Sequence, residues 1–80
     1  MIGLKKMKKR IVRYDTKLYR RIIIYEAVKR YALFAEVAPV NSMDDFCEVI
    51  FTSEDTEIDV LIGEFGNYLI QLENRIGIEE

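Results

Sequence analysis

Hydrophobic and polar positions change period along this chain, and the changes mark its elements. Residues 46–52, Phe-Cys-Glu-Val-Ile-Phe-Thr, alternate with the two-residue period of a strand. Cys47, Val49 and Phe51 fall on one side; Phe46, Glu48, Ile50 and Thr52 fall on the other. Large apolar groups on both sides predict a central strand covered on both faces. Further on, Ile58, Leu61, Phe65, Leu69, Leu72 and Ile76 recur at steps of three and four, widened by Ile62 and Tyr68, which predicts an amphipathic helix. Ser53, Asp55 and Thr56 offer caps for it, Glu54, Glu57 and Asp59 bring negative charge to its first turn, and Gly77 fits its end. Gly63 and Gly66 each cost such a helix about 1 kcal/mol relative to alanine. They either admit another backbone or are simply tolerated.

The first half is less regular. Residues 8–14 predict a strand around Ile11, Val12 and Tyr14, and its many cations suit a sheet edge, where lysine discourages unwanted pairing. Asp15 and Thr16 offer a helix cap. From about Lys17 to Ala35, one apolar line runs Leu18, Ile22, Tyr25, Val28, Ala32, Ala35, and a second runs Tyr19, Ile23, Ala27, Tyr31, Phe34. So wide an arc predicts a helix buried on more than one side. Lys17, Arg20 and Arg21 at its positive dipole end and the strand-like run Ile22-Ile23-Ile24-Tyr25 argue the other way, but the length of the pattern favours helix. Val37 to Ser42 predicts a short strand that Pro39 confines to an edge or a strand start, and Met43-Asp44-Asp45 predicts a turn.

The element order is β-α-β-β-α, an α+β class. With the first two strands parallel and a right-handed crossover, the third strand fits between them. The expected architecture is a three-stranded sheet of order 1-3-2 with two helices on one face, a truncated ferredoxin-like unit lacking its last strand. That arrangement leaves one sheet face and the first strand's edge without cover.

At 80 residues and 9.4 kDa the chain is read as a single domain spanning 1–80, with residues 1–7 a flexible basic lead-in. Met7 is a second candidate start alongside Met1. The N-terminus has no apolar core of secretory-signal length and no apolar run reaches a membrane span, so the localisation expected is cytoplasmic, without a membrane partner. Half the residues are apolar and 32% are charged, a globular composition.

Composition removes most catalytic chemistry. Histidine is absent, and the lone Cys47 can form neither an internal disulfide nor a multi-cysteine zinc site. In an apolar strand Cys47 reads as a small buried hydrophobe. Gly63-Glu64-Phe65-Gly66 lacks the phosphate-loop pattern, and Asp44-Asp45 with Glu54-Asp55 lacks calcium-loop spacing. No catalytic, cofactor-binding or metal-ligating residue is assigned, and no cofactor is expected.

Charge is divided along the chain. Residues 1–34 hold eleven basic residues and two acidic ones; residues 35–80 hold Arg75 against twelve acids. The two halves can neutralise within one fold, meet between two chains, or leave the basic half for an acidic partner. The first is favoured, with Lys9, Arg10 or Arg13 brought near Glu48 and its neighbours. Nucleic acid ranks last: the pI is about 5.2, no recognition motif accompanies the Lys5–Arg10 cluster, and Tyr14, Tyr19, Tyr25 and Tyr31 read as core or interface.

From Tyr14 to Ile76 the chain resembles the HxsD-like family. The matching features are D-x-x-L-Y at Asp15–Tyr19, I-x-x-A-x-x-x-Y from Ile24 to Tyr31, the strand FCEVIFT, and EFGNYLIQLENRI at residues 64–76. The Ile22–Ile24 run is a departure that shifts the alignment of the first helix. The resemblance implies an accessory role beside radical S-adenosylmethionine enzymes that mature a peptide of His-Xaa-Ser repeats, and it carries no catalytic residues across. The function expected is thus a non-enzymatic accessory or binding protein, with a radical S-adenosylmethionine enzyme or the substrate peptide as partner. The alternatives are a small homodimeric enzyme with an interface pocket and a regulatory module of an acidic partner. A homodimer is expected in any case: a chain this short, with no disulfide, holds little stability in reserve, and a bare apolar sheet face is usually covered.

Overall fold

The computed structural model describes the backbone of residues 6–79 and the side chains of residues 6–75. Its elements are β1 (Met7–Asp15), α1 (Arg21–Tyr31), β2 (Glu36–Ser42), β3 (Phe46–Glu54) and α2 (Ile58–Glu79). The three strands form one sheet of order β1-β3-β2, with β3 antiparallel to both neighbours, so β1 and β2 run parallel. This is the expected α+β arrangement.

One face of β3 faces the helices. Cys47, Val49 and Phe51 are fully buried there, with Val37 of β2, Ile23, Ile24, Ala27, Val28 and Tyr31 of α1, and Ile58, Phe65 and Leu69 of α2. Phe65 is the centre of this core. Its ring lies 5.1 Å from Phe51, 5.4 Å from Tyr31 and 5.7 Å from Tyr14, so it touches β3, α1 and β1 at once.

The first helix is shorter than its apolar period suggests. It covers Arg21–Tyr31, not 17–35. Asp15 does accept backbone N–H groups, with its Oδ1 2.7 Å from the Lys17 nitrogen and its carbonyl 3.1 and 3.0 Å from those of Leu18 and Tyr19, but it closes an isolated turn. The helix restarts after Arg20, which is extended and gives no side-chain cap. Its N-terminal charge comes from α2 instead: Glu73 accepts the Arg20 backbone N–H at 3.2 Å and pairs with Arg20 Nε at 2.9 Å. A carboxylate here meets the positive end of a helix with no acid in its own first turn. Lys29 and Arg30 stand favourably at the other end. Arg21 ties α1 to the β2–β3 turn through Ser42 Oγ and the Met43 carbonyl. Burial takes Ile23, Ala27 and Tyr31 of the second apolar line together with Ile24 and Val28; Leu18 and Ile22 of the first line and Phe34 of the second are exposed, so the helix is not buried on several sides.

Other boundaries also move. The first strand starts at Met7, within the segment expected to be a lead-in; residues 1–5 lie outside the described residues. Pro39 sits on an edge strand, as a residue without an N–H must, and the register slips between Pro39 and Asn41. Helix α2 begins at Ile58, after a turn over Asp55–Glu57, and runs through Gly77. A methyl group at Gly63 or Gly66 would meet nothing within 4 Å, so neither glycine admits another backbone among the described residues.

Candidate interaction surface

The second face of the sheet has no helix over it. Register places its side chains in rows across the three strands. Arg13, Glu48 and Asn41 form one row, Ile11, Ile50 and Ala38 the next, and Lys9, Thr52 and Glu36 the third. The middle row is apolar, and the rows beside it carry charge. Ile11 is 54% exposed, Val40 in the β2 bulge is 49% exposed, and Phe46, Ile50 and Thr52 are half-buried. The expectation that β3 is covered on both faces therefore fails within one chain. The two described helices pack on one face of the three-stranded sheet, and no other described element lies over the second.

The flanks of this face differ in sign. Arg13 on β1 is held in place: its guanidinium carbon lies 3.9 Å over the Phe46 ring, and Nη2 lies 3.3 Å from Glu48 Oε2. Asn41 donates to the other Glu48 oxygen at 3.3 Å. Lys9 and Glu36, on opposite flanks of one row, are exposed and make no ion pair among the described residues. Both border a shallow groove of about 450 Å³ that takes in Ile50 and Thr52 of the sheet and, past the β2 edge, Ala32 and Ala35 after α1.

Elsewhere the basic and acidic halves meet within the chain, as expected. Lys8 pairs with Asp55 at 2.9 Å, Arg10 with Asp59, Arg13 with Glu48 and Arg20 with Glu73. Of the cations expected to do this, Lys9 does not.

The chemistry of the remaining candidates is quiet. Cys47 is fully buried and free on the helix side of β3. The acids proposed for a cation do not converge. Asp44 and Asp45 precede β3, where their carbonyls accept from Thr16, whereas Glu54 and Asp55 lie at its far end, roughly 30 Å away along nine residues of strand. Among the described residues no group of three or more Cys, Asp or Glu side chains gathers to hold a metal ion. None of the described helices is long and apolar enough to cross a membrane. Tyr25 spends its hydroxyl on Ser42 Oγ at 3.1 Å.

Tyr14 is the one phenol whose acidity moves far. Burial, and secondarily the neighbouring Tyr19, push it up to about 12, so it holds its proton at neutral pH and is no base. Burial, then Glu64, then Tyr68, raise Tyr31 as well. An unfolded tyrosine titrates near 10. Because the folded value is raised, the stabilisation is complete below pH 10 and is lost as pH rises through about 12. Tyr14 keeps contact with water, which limits its share to about 1 kcal/mol. Tyr14→Phe is expected to flatten, without abolishing, the fall in urea-unfolding stability between pH 10 and 12. An unchanged slope would show that Tyr14 ionises freely in the fold.

Sequence reasoning found the apolar content of this face in Phe46 and Ile50. It missed Ile11 and Ala38 as row partners of Ile50, and the opposition of Lys9 to Glu36. Alternation in β1 and β2 was the available signal, but strand register joins it into rows. No family model, curated protein or solved structure matches the chain.

Proposed function

We propose that this protein is a non-enzymatic accessory protein that acts by binding and works as a homodimer. The observation that supports this reading is the uncovered sheet face, apolar along its middle row and bounded by charge. Exposed apolar surface of this kind on a small chain calls for a partner. The resemblance to the HxsD-like family supplies the context: service to a radical S-adenosylmethionine enzyme that matures a His-Xaa-Ser repeat peptide in the cytoplasm. The working surface is then the face and its flanks, and Cys47 and the core aromatics serve only the fold.

The test is reconstitution. The full chain is added to a radical S-adenosylmethionine enzyme and a His-Xaa-Ser repeat peptide, and peptide modification is followed by mass spectrometry. Modification is expected to rise several-fold with the chain present, and the chain alone is expected to modify nothing. Ile50→Lys, which places a charge on the middle row, is expected to remove the increase while leaving the circular dichroism spectrum intact. If the rate is indifferent to the chain, the accessory reading is wrong.

A further inference from the structure

We infer that the outer sheet face binds a second copy of this chain across a two-fold axis that runs along β3. The inference rests on the reading that this face is the working surface, and it adds which partner surface meets it and in what register.

Aligned sheets stacked face to face keep their strands within about 30° of each other. For identical copies, the two-fold axis must lie in the interface, either across the strands or along them. An axis across the strands through Ile50 sets β1 over β1, and Lys9 of one copy comes over Arg13 of the partner subunit. An axis along β3 keeps each row in place and exchanges the flanks. Ile50 then stacks on Ile50 of the partner subunit, Ile11 comes over Ala38 of the partner subunit, and Lys9 comes over Glu36 of the partner subunit. By symmetry the last two contacts occur twice. Coulomb's law separates the two arrangements: the first opposes like charges, and the second pairs opposite ones.

Exposure and charge pairing favour the second. Lys9 and Glu36 are exposed, sit in one row of the sheet and make no ion pair among the described residues, while Arg13 is already held by Glu48 and Phe46. The cations of β1 oppose pairing through its edge, which leaves the face. Nine-residue strands spaced about 4.8 Å apart make a face of roughly 30 by 14 Å, so two copies bury on the order of 1,000 Å². That is the size of a transient, reversible contact rather than of a permanent interface.

Sedimentation equilibrium of the full chain over the micromolar range tests this. The average mass is expected to climb from 9.4 kDa toward twice that value. Lys9→Glu and Glu36→Lys each oppose like charges at both symmetric contacts and are expected to weaken the dimer about tenfold. An equimolar mixture of these two variants restores opposite charges at both contacts, so it is expected to form a heterodimer of near wild-type strength, as is the K9E/E36K double variant as a homodimer. A wild-type mass that stays at 9.4 kDa overturns self-association, and a mixture no stronger than its components overturns this axis. Failure here is distinct from failure of the accessory reading. A monomer whose stimulation of the maturation enzyme is still abolished by Ile50→Lys keeps that reading and loses this one; a dimer with the predicted rescue and no effect on the enzyme does the reverse.

Discussion

Phe65→Ala is expected to lose about 3–5 kcal/mol of stability, the cost of emptying a fully buried aromatic site. At roughly 0.05–0.15 kcal/mol per residue, a chain of 80 residues has only about 4–12 kcal/mol in total, so the substitution removes about a quarter of it or more. The loss falls on the whole molecule because of where the ring sits. It lies edge-on to Phe51 and Tyr31, with interplanar angles of 81° and 76°, and also meets Tyr14. Three elements lose their common contact at once, and the sheet has no second layer to compensate. Urea unfolding followed by circular dichroism reads the effect. Phe65→Leu, which refills most of the volume, is expected to recover a large part of the loss. A Phe65→Ala protein within about 1 kcal/mol of wild type would mean that the helices do not pack on the sheet through this ring.

Glu73→Ala is expected to cost about 1–3 kcal/mol, and to do so locally. The substitution removes an ion pair that is partly shielded from water, with side-chain exposures of 41% for Arg20 and 25% for Glu73, together with an acceptor for the Arg20 backbone N–H. It also takes the Glu73 carboxylate away from the positive end of α1. The first turn should therefore fray. Faster hydrogen exchange at Ile23 and Ile24, whose N–H groups bond to the Arg20 carbonyl at 2.9 and 3.1 Å, should accompany the loss of stability. Glu73→Gln keeps an acceptor and loses the charge, so it is expected to recover part of the effect. Unchanged exchange at both amides would show that α1 holds its own N-terminus.

The opposition of Arg20 to Glu73 also explains why α1 was harder to place than α2. Helix α2 declares itself in Ile58, Leu61, Phe65 and Leu69, because one buried face at helical spacing is a local property of the chain. For the same reason the alternation of Cys47, Val49 and Phe51 identified β3 and its helix-facing side. Antiparallel order β1-β3-β2 followed from element order and the short β2–β3 connection, since connections in small folds are short and do not cross. These features were legible because each depends on neighbours within a few residues.

What remained depends on contacts distant in the chain. Asp15 has the chemistry of a helix cap, yet it caps only a turn, and the helix begins after Arg20, whose backbone N–H meets a carboxylate 53 residues further on. Leu18 and Ile22 are as apolar as Ile23 and Ile24, but only the latter face the sheet, because α1 touches its neighbours on one side. The outer face shows the same division. Its apolar residues could be counted from the sequence, but only the pairing of Lys9 with Thr52 and of Thr52 with Glu36 set a free cation and a free carboxylate on opposite flanks of one row. A strand's alternation is written in the chain, whereas its register is decided by which partner buries the alternating groups, and that partner is chosen by the tertiary structure.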